Sequence, residues 1–148
     1  MVKRVLVVMA MTLTAFGAGT PAAFAEVQVF SVHLAPSGDA DGSGVAIIRI
    51  DSARGLLCYS MVVRDISPPT EPAPGVGSAH IHGPLPVTGI AIDLDTEFMA
   101  TGTDVYVARD CMSVDSGTID AVLADPDLFY VNVHNVEFPT GAVQGSLG

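Results

Sequence analysis

Four histidines are spread over 148 residues, and three of them stand where they could do chemistry. His80 and His82 lie two apart in Ser78-Ala79-His80-Ile81-His82-Gly83-Pro84, and His134 closes the run Tyr130-Val131-Asn132-Val133-His134. Neutral imidazole nitrogens are ligands for copper and zinc, and three of them leave a coordination position open. Asn132 and Glu137 flank His134 and are candidates to orient its ring from behind the ligands. The competing reading is mechanical: a ring nitrogen of His80 or His82 bonds a loop carbonyl and braces the chain there.

Other reactive patterns are weaker. Asp39-Ala40-Asp41-Gly42-Ser43-Gly44 alternates carboxylates as a calcium loop does, yet the position that should carry a bidentate acid falls on Ile50, so a solvated turn is expected. Asp93, Asp95 and Glu97 alternate as an exposed edge would. No serine has a nucleophile-elbow context, and Cys58 and Cys111 lack the Cys-X-X-Cys spacing of a redox exchanger. Enzymatic chemistry is therefore not expected from any of these sets.

Strands must position the histidines. Successive side chains in a strand point to opposite faces, so Ala79 and Ile81 go one way and both histidines the other. Val131 and Val133 separate from Asn132 and His134 in the same manner. With the apolar set facing a core, His80, His82 and His134 all lie on the outer face, and Phe30, Val32 and Leu34 leave His33 outward too. The three rings converge only if their two strands are neighbours.

Short β-branched runs separated by Gly, Pro and Asp clusters predict an antiparallel all-β domain, a Greek-key sandwich or barrel of about eight short strands. The expected strands are Val27 to Leu34, Gly44 to Ile50, Leu56 to Arg64, Ser78 to His82, Ile90 to Leu94, Asp104 to Ala108, Phe129 to His134 and Ala142 to Leu147. Asp51 to Gly55 reads as a hairpin connection. The proline-rich stretch from Ile66 to Gly77 predicts a long surface loop, and Ser116 to Leu123 predicts one short helix that stops at Asp125-Pro126.

The first 25 residues have a basic start, an apolar run and a close at Ala23-Phe24-Ala25, the pattern of a secretory signal cleaved near Ala25. Residues 26–148 then form a single domain, secreted or periplasmic, with no membrane span expected. Losing Lys3 and Arg4 takes the net charge from −10 to −12 and leaves four arginines and no lysine, a surface that repels nucleic acid. In an oxidising compartment the pair Cys58 and Cys111 predicts one disulfide.

Four segments together resemble the chordin-type, or CHRD, domain of secreted bacterial proteins. They are the strand-turn-strand GVAIIRIDSARGLLCYSMVV, Ala79-His80-Ile81-His82-Gly83-Pro84, the polar helix-like segment IDAVLADPDLF, and YVNVHNVEFPTGAVQGSL from Tyr130 to Leu147. The family's first strand usually leads into Gln-Glu-Val-Pro-Pro, where this chain has His33-Leu34-Ala35-Pro36-Ser37; Asn135 and Gln144 replace the usual Thr and Arg. The resemblance implies an extracytoplasmic all-β domain, a type known in animals from an extracellular protein that binds growth factors; an extracellular protein is the partner to be tested for. His-X-His with a later Val-X-Val-His strand is also similar to the copper ligands of copper-zinc superoxide dismutases, which implies a copper-dependent redox enzyme as the alternative. The long zinc loop of those enzymes has no counterpart, since PVTGIAIDLD and TEFMATGTD contain no histidine. The leading expectation is a binding module taking copper or zinc on His80, His82 and His134; a structural or adhesive role is the third.

Overall fold

The structure, a computed structural model, describes residues 27–148 apart from Thr88 and Asp95; the expected signal segment lies outside the described residues. Nine strands occur among the described residues: β1 (Val27–Pro36), β2 (Ser43–Asp51), β3 (Leu56–Arg64), β4 (Ala79–His82), β5 (Ile90–Asp93), β6 (Met99–Gly102), β7 (Val105–Ser113), β8 (Tyr130–Val133) and β9 (Val143–Ser146). One helix, α1 (Ser116–Ala124), joins β7 towards β8. The all-β class with a short helix is as expected. The additional strand is β6, whose residues are all exposed. It carries no apolar alternation and is a strand because it pairs with β7.

Alternation builds the inner face. Phe30, Val32 and Leu34 of β1, Ala46, Ile48 and Ile50 of β2, and Leu57, Tyr59, Met61 and Val63 of β3 are all buried, while the residues between them face outward. The β2–β3 connection is a tight turn in which the Asp51 carboxylate accepts from the Arg54 N–H at 3.2 Å. Gly55 closes it with φ 59, a left-handed conformation that suits glycine. Asp115 caps α1 by accepting from the Thr118 N–H at 2.9 Å. Ile119 and Val122 then bury one face of the helix on the core, each contributing on the order of 2 kcal/mol.

All pairings are antiparallel, in the order β5-β4-β8-β9-β1-β2-β3-β7-β6. Two halves meet at a narrow seam, where β1 touches β9 through Ala35 with Gln144 and Pro36 with Val143. The sheet curls there, so both halves face one core. The Tyr59 hydroxyl of β3 donates to the Leu94 carbonyl, beside β5, at 3.0 Å across it.

Cys58 and Cys111 form the expected disulfide. They are directly paired on β3 and β7, with Cα atoms 4.0 Å apart, on the outer face. The Cys111 N–H turns to the Asp110 carboxylate instead of the ladder, as a non-hydrogen-bonded pair permits. The bridge closes a loop of sequence separation 53, which includes β4, β5 and β6, a restriction of the unfolded chain worth about 4 kcal/mol. Among the described residues no helix is long and apolar enough to cross a membrane.

Candidate metal centre

β4 and β8 lie side by side: Ala79 pairs with Val133, His80 with Asn132, Ile81 with Val131 and His82 with Tyr130. Ile81, Val131 and Val133 enter the core, so the histidines take the opposite phase as expected. His134 follows β8, and its N–H donates to the Ser78 carbonyl at 2.9 Å, which prolongs the pairing by one step. His80, His82 and His134 each offer a ring nitrogen, and these nitrogens lie within 4.8 Å of one another. His33 stands apart and exposed on β1.

The expected outer face is not a solvent face. His80 is 1 % and His134 4 % exposed, and His82 is half-buried. The cause is the chain that folds over β8. Its Pro139 carbonyl reaches the His134 ring, its Thr140 carbonyl accepts from the Asn132 amide at 3.0 Å, and Asn135 caps the Phe138 N–H at 2.8 Å. The proline-rich loop is held against the same turn, with the Thr70 N–H donating to the His134 carbonyl at 3.1 Å and Pro69 bridging to Asn135. Strand phase gave the direction of the rings and nothing about this cover.

The hydrogen bonds assign the protons. A carbonyl only accepts, so at 3.0 Å from the Pro139 oxygen His134 Nδ1 carries hydrogen and donates. Burial, reinforced by the neighbouring His80, lowers the His134 pKa to about 4, so at neutral pH its Nε2 holds a lone pair. His80 Nδ1, 3.0 Å from that Nε2, must then be the donor. Burial also pushes the His80 pKa down, against the opposing pull of Asp93. In this tautomer His80 Nε2 is a buried nitrogen without a hydrogen-bond partner among the described residues. The Asp93 carboxylate stands 3.8 Å from it, held by the Gly77 N–H, which lies 3.2 Å from both carboxylate oxygens.

Asp93 is a site residue that reading the chain as an exposed edge overlooked. β5 is indeed an edge strand, but its register places Asp93 opposite His80, and only the β4–β5 pairing reveals this. Tyr130 was overlooked in the same way: paired with His82, its ring stacks on the imidazole at 5.1 Å and 12°. Of the two residues expected to orient His134, Asn132 is buried and bonded to the Thr140 carbonyl, and Glu137 is exposed on the covering loop. Asp95 lies outside the described residues. Asp39 accepts from the Asp41 and Gly42 N–H groups in a turn.

Three nitrogens can share an ion here once the rings draw together. Nitrogens ~2.0 to 2.1 Å from a tetrahedral centre stand about 3.4 Å apart, so a pair at the 4.8 Å limit would close by about 1.4 Å. The close pair, His80 Nδ1 and His134 Nε2, already stands at 3.0 Å.

An antiparallel β fold with this histidine arrangement agrees with one family profile, the CHRD domain, which matches residues 25–147. The chain belongs to the CHRD-domain family. No curated protein and no solved structure matches it.

Proposed function

We propose that this protein is an extracytoplasmic binding module that holds copper or zinc through His80, His82 and His134. The observation that carries the reading is the 3.0 Å contact between His80 Nδ1 and His134 Nε2, where a single proton lies between two ligand atoms. Three imidazole nitrogens suit zinc or copper and not magnesium or calcium. Family membership supports a binding module, and the disulfide supports an oxidising compartment.

Each residue has a defined task. His134 keeps its Nδ1 hydrogen on Pro139, which aims Nε2 at the site. His80 frees Nδ1 by moving its proton to Nε2, where Asp93 faces it, giving the carboxylate–imidazole pairing that orients metal ligands. His82, the least buried of the three, is backed by Tyr130. A bound ion would supply Lewis acidity or, as copper, a redox couple.

Titration of tag-free protein with copper and with zinc tests this. Saturable binding of one ion is expected, abolished by His82→Ala, and weakened 10- to 100-fold by Asp93→Asn at unchanged stoichiometry. No saturable binding, or binding indifferent to His82→Ala, overturns it. The Pro139 contact favours a second reading in which His134 only braces the covering loop. Under that reading His134→Ala loses stability and no ion saturates the wild type.

A further inference from the structure

Positive charge is segregated in this molecule. The described residues hold four arginines, and three of them, Arg49, Arg64 and Arg109, are exposed on the outer face of β2, β3 and β7. None of the three makes an ion pair among the described residues. The strands β1, β2, β3 and β7 place one carboxylate in the outward phase, Asp51, which is buried and turned onto the Arg54 N–H. Asp110 has the opposite phase, paired with the inward Tyr59. A chain that carries 16 acidic residues thus presents a wide face with no free carboxylate among the described residues.

Register shows what else is there. Val45 pairs with Val62, Val62 with Val107, and Val107 with Met99, so one aliphatic row crosses four strands. Val45 is 44 % and Met99 59 % exposed. Arg64 lies one row to one side of this ridge, while Arg109 lies one row to the other. Arg49 lies a further row on, roughly 12 Å from Arg109 by strand spacing. Ile47 and Val29 continue the apolar surface between and beside them.

We propose that this face is a docking surface for an acidic protein partner, one whose carboxylates meet the three guanidinium groups while aliphatic side chains cover the valine ridge. Arginine is the cation suited to bidentate carboxylate pairing, and the aliphatic ridge supplies apolar area that a purely charged ligand leaves uncovered. Two copies packed by this face would set arginines against arginines, so a symmetric dimer is disfavoured. A long polyanion or an anionic membrane running beyond the face meets Asp65 and Asp104, which follow Arg64 and precede Val105 at its margin.

The test uses the purified protein and three probes: a soluble glutamate-leucine copolymer, heparin, and phosphatidylglycerol vesicles. Saturable binding of the copolymer is expected, falling with salt, weakened at least 10-fold by Arg64→Gln with Arg109→Gln and several-fold by Val62→Ser. Arg54→Gln, off this face, removes equal charge singly and should leave binding unchanged. Thermal denaturation confirms that each variant is folded. Copolymer that does not bind, that binds the double variant equally well, or that responds as strongly to Arg54→Gln overturns the proposal, as does tighter binding of heparin or vesicles.

Discussion

Two outward faces of one curled sheet have opposite characters. On β4 and β8 the residues pointing away from the core are His80, His82, Tyr130, Asn132 and, just beyond the strand, His134; His80, Asn132 and His134 are buried, His82 and Tyr130 half-buried. On β1 and β2 the residues in the same phase include Val29, Ser31, His33, Val45, Ile47 and Arg49, which are exposed; Asp51, at the turn, is buried. Polar side chains are covered on the first face and aliphatic ones are left in water on the second, the reverse of what hydropathy alone would arrange. Loops make the difference. The segment between His134 and Ala142 lies over the first face, with its carbonyls turned to His134 and Asn132, and among the described residues no such segment covers the second.

The largest break in this contrast is expected from lifting the cover. Gly141 has φ 132, and a Cβ there would run into the Asn132 amide. Gly141→Val should cost about 3 kcal/mol, read as a lowered denaturation midpoint, and expose the histidines to solvent. A midpoint shift below a few tenths would show that the loop does not depend on that approach.

Acid should act on the covered face with similar size. Unfolded, His134 takes a proton near pH 6.5; folded, it does so only near 4, because burial and His80 oppose the charge. The unfolded chain therefore binds more protons in that window. Stability of the metal-free protein is complete above pH 6.5 and falls as the pH drops to 4, by up to about 3 kcal/mol. The lowered pKa of His80 adds in the same direction. Denaturant unfolding across this range checks it, and the acid slope should shrink in His134→Gln.

On the open face the expected effect is the smallest. Val29→Thr should change stability by no more than about 0.5 kcal/mol, since Val29 is 54 % exposed and loses little burial. A large loss would mean that something covers that face as well.

These contrasts also show what was legible in the chain. Period-two alternation located eight of the nine strands and the phase of every histidine, because phase is local. The Cys58–Cys111 pairing was legible from parity and compartment. Burial of His80 and His134 was not, since it depends on a loop whose contacts with β8 are set by glycine and asparagine geometry and not by hydrophobic pattern. Asp93 was illegible as a partner of His80 for a related reason: edge and partner look alike until the register across β4 and β5 is known. The short strand β6 gave no pattern at all, because all its residues are exposed.

The distance along the chain between His80 and His134 has a kinetic meaning. β1, β2 and β3 form from adjacent hairpins, whereas His80 and His134 meet across 54 residues, after the crossing to β4 and the return through α1. Contacts closed by the longest loops form late in folding. An ion held by this trio would find its ligands together only after the folding barrier is crossed, so it should slow unfolding in proportion to its affinity and leave the refolding rate unchanged. Stopped-flow refolding with and without zinc would reveal it, and zinc-accelerated refolding would place the trio in the folding nucleus instead.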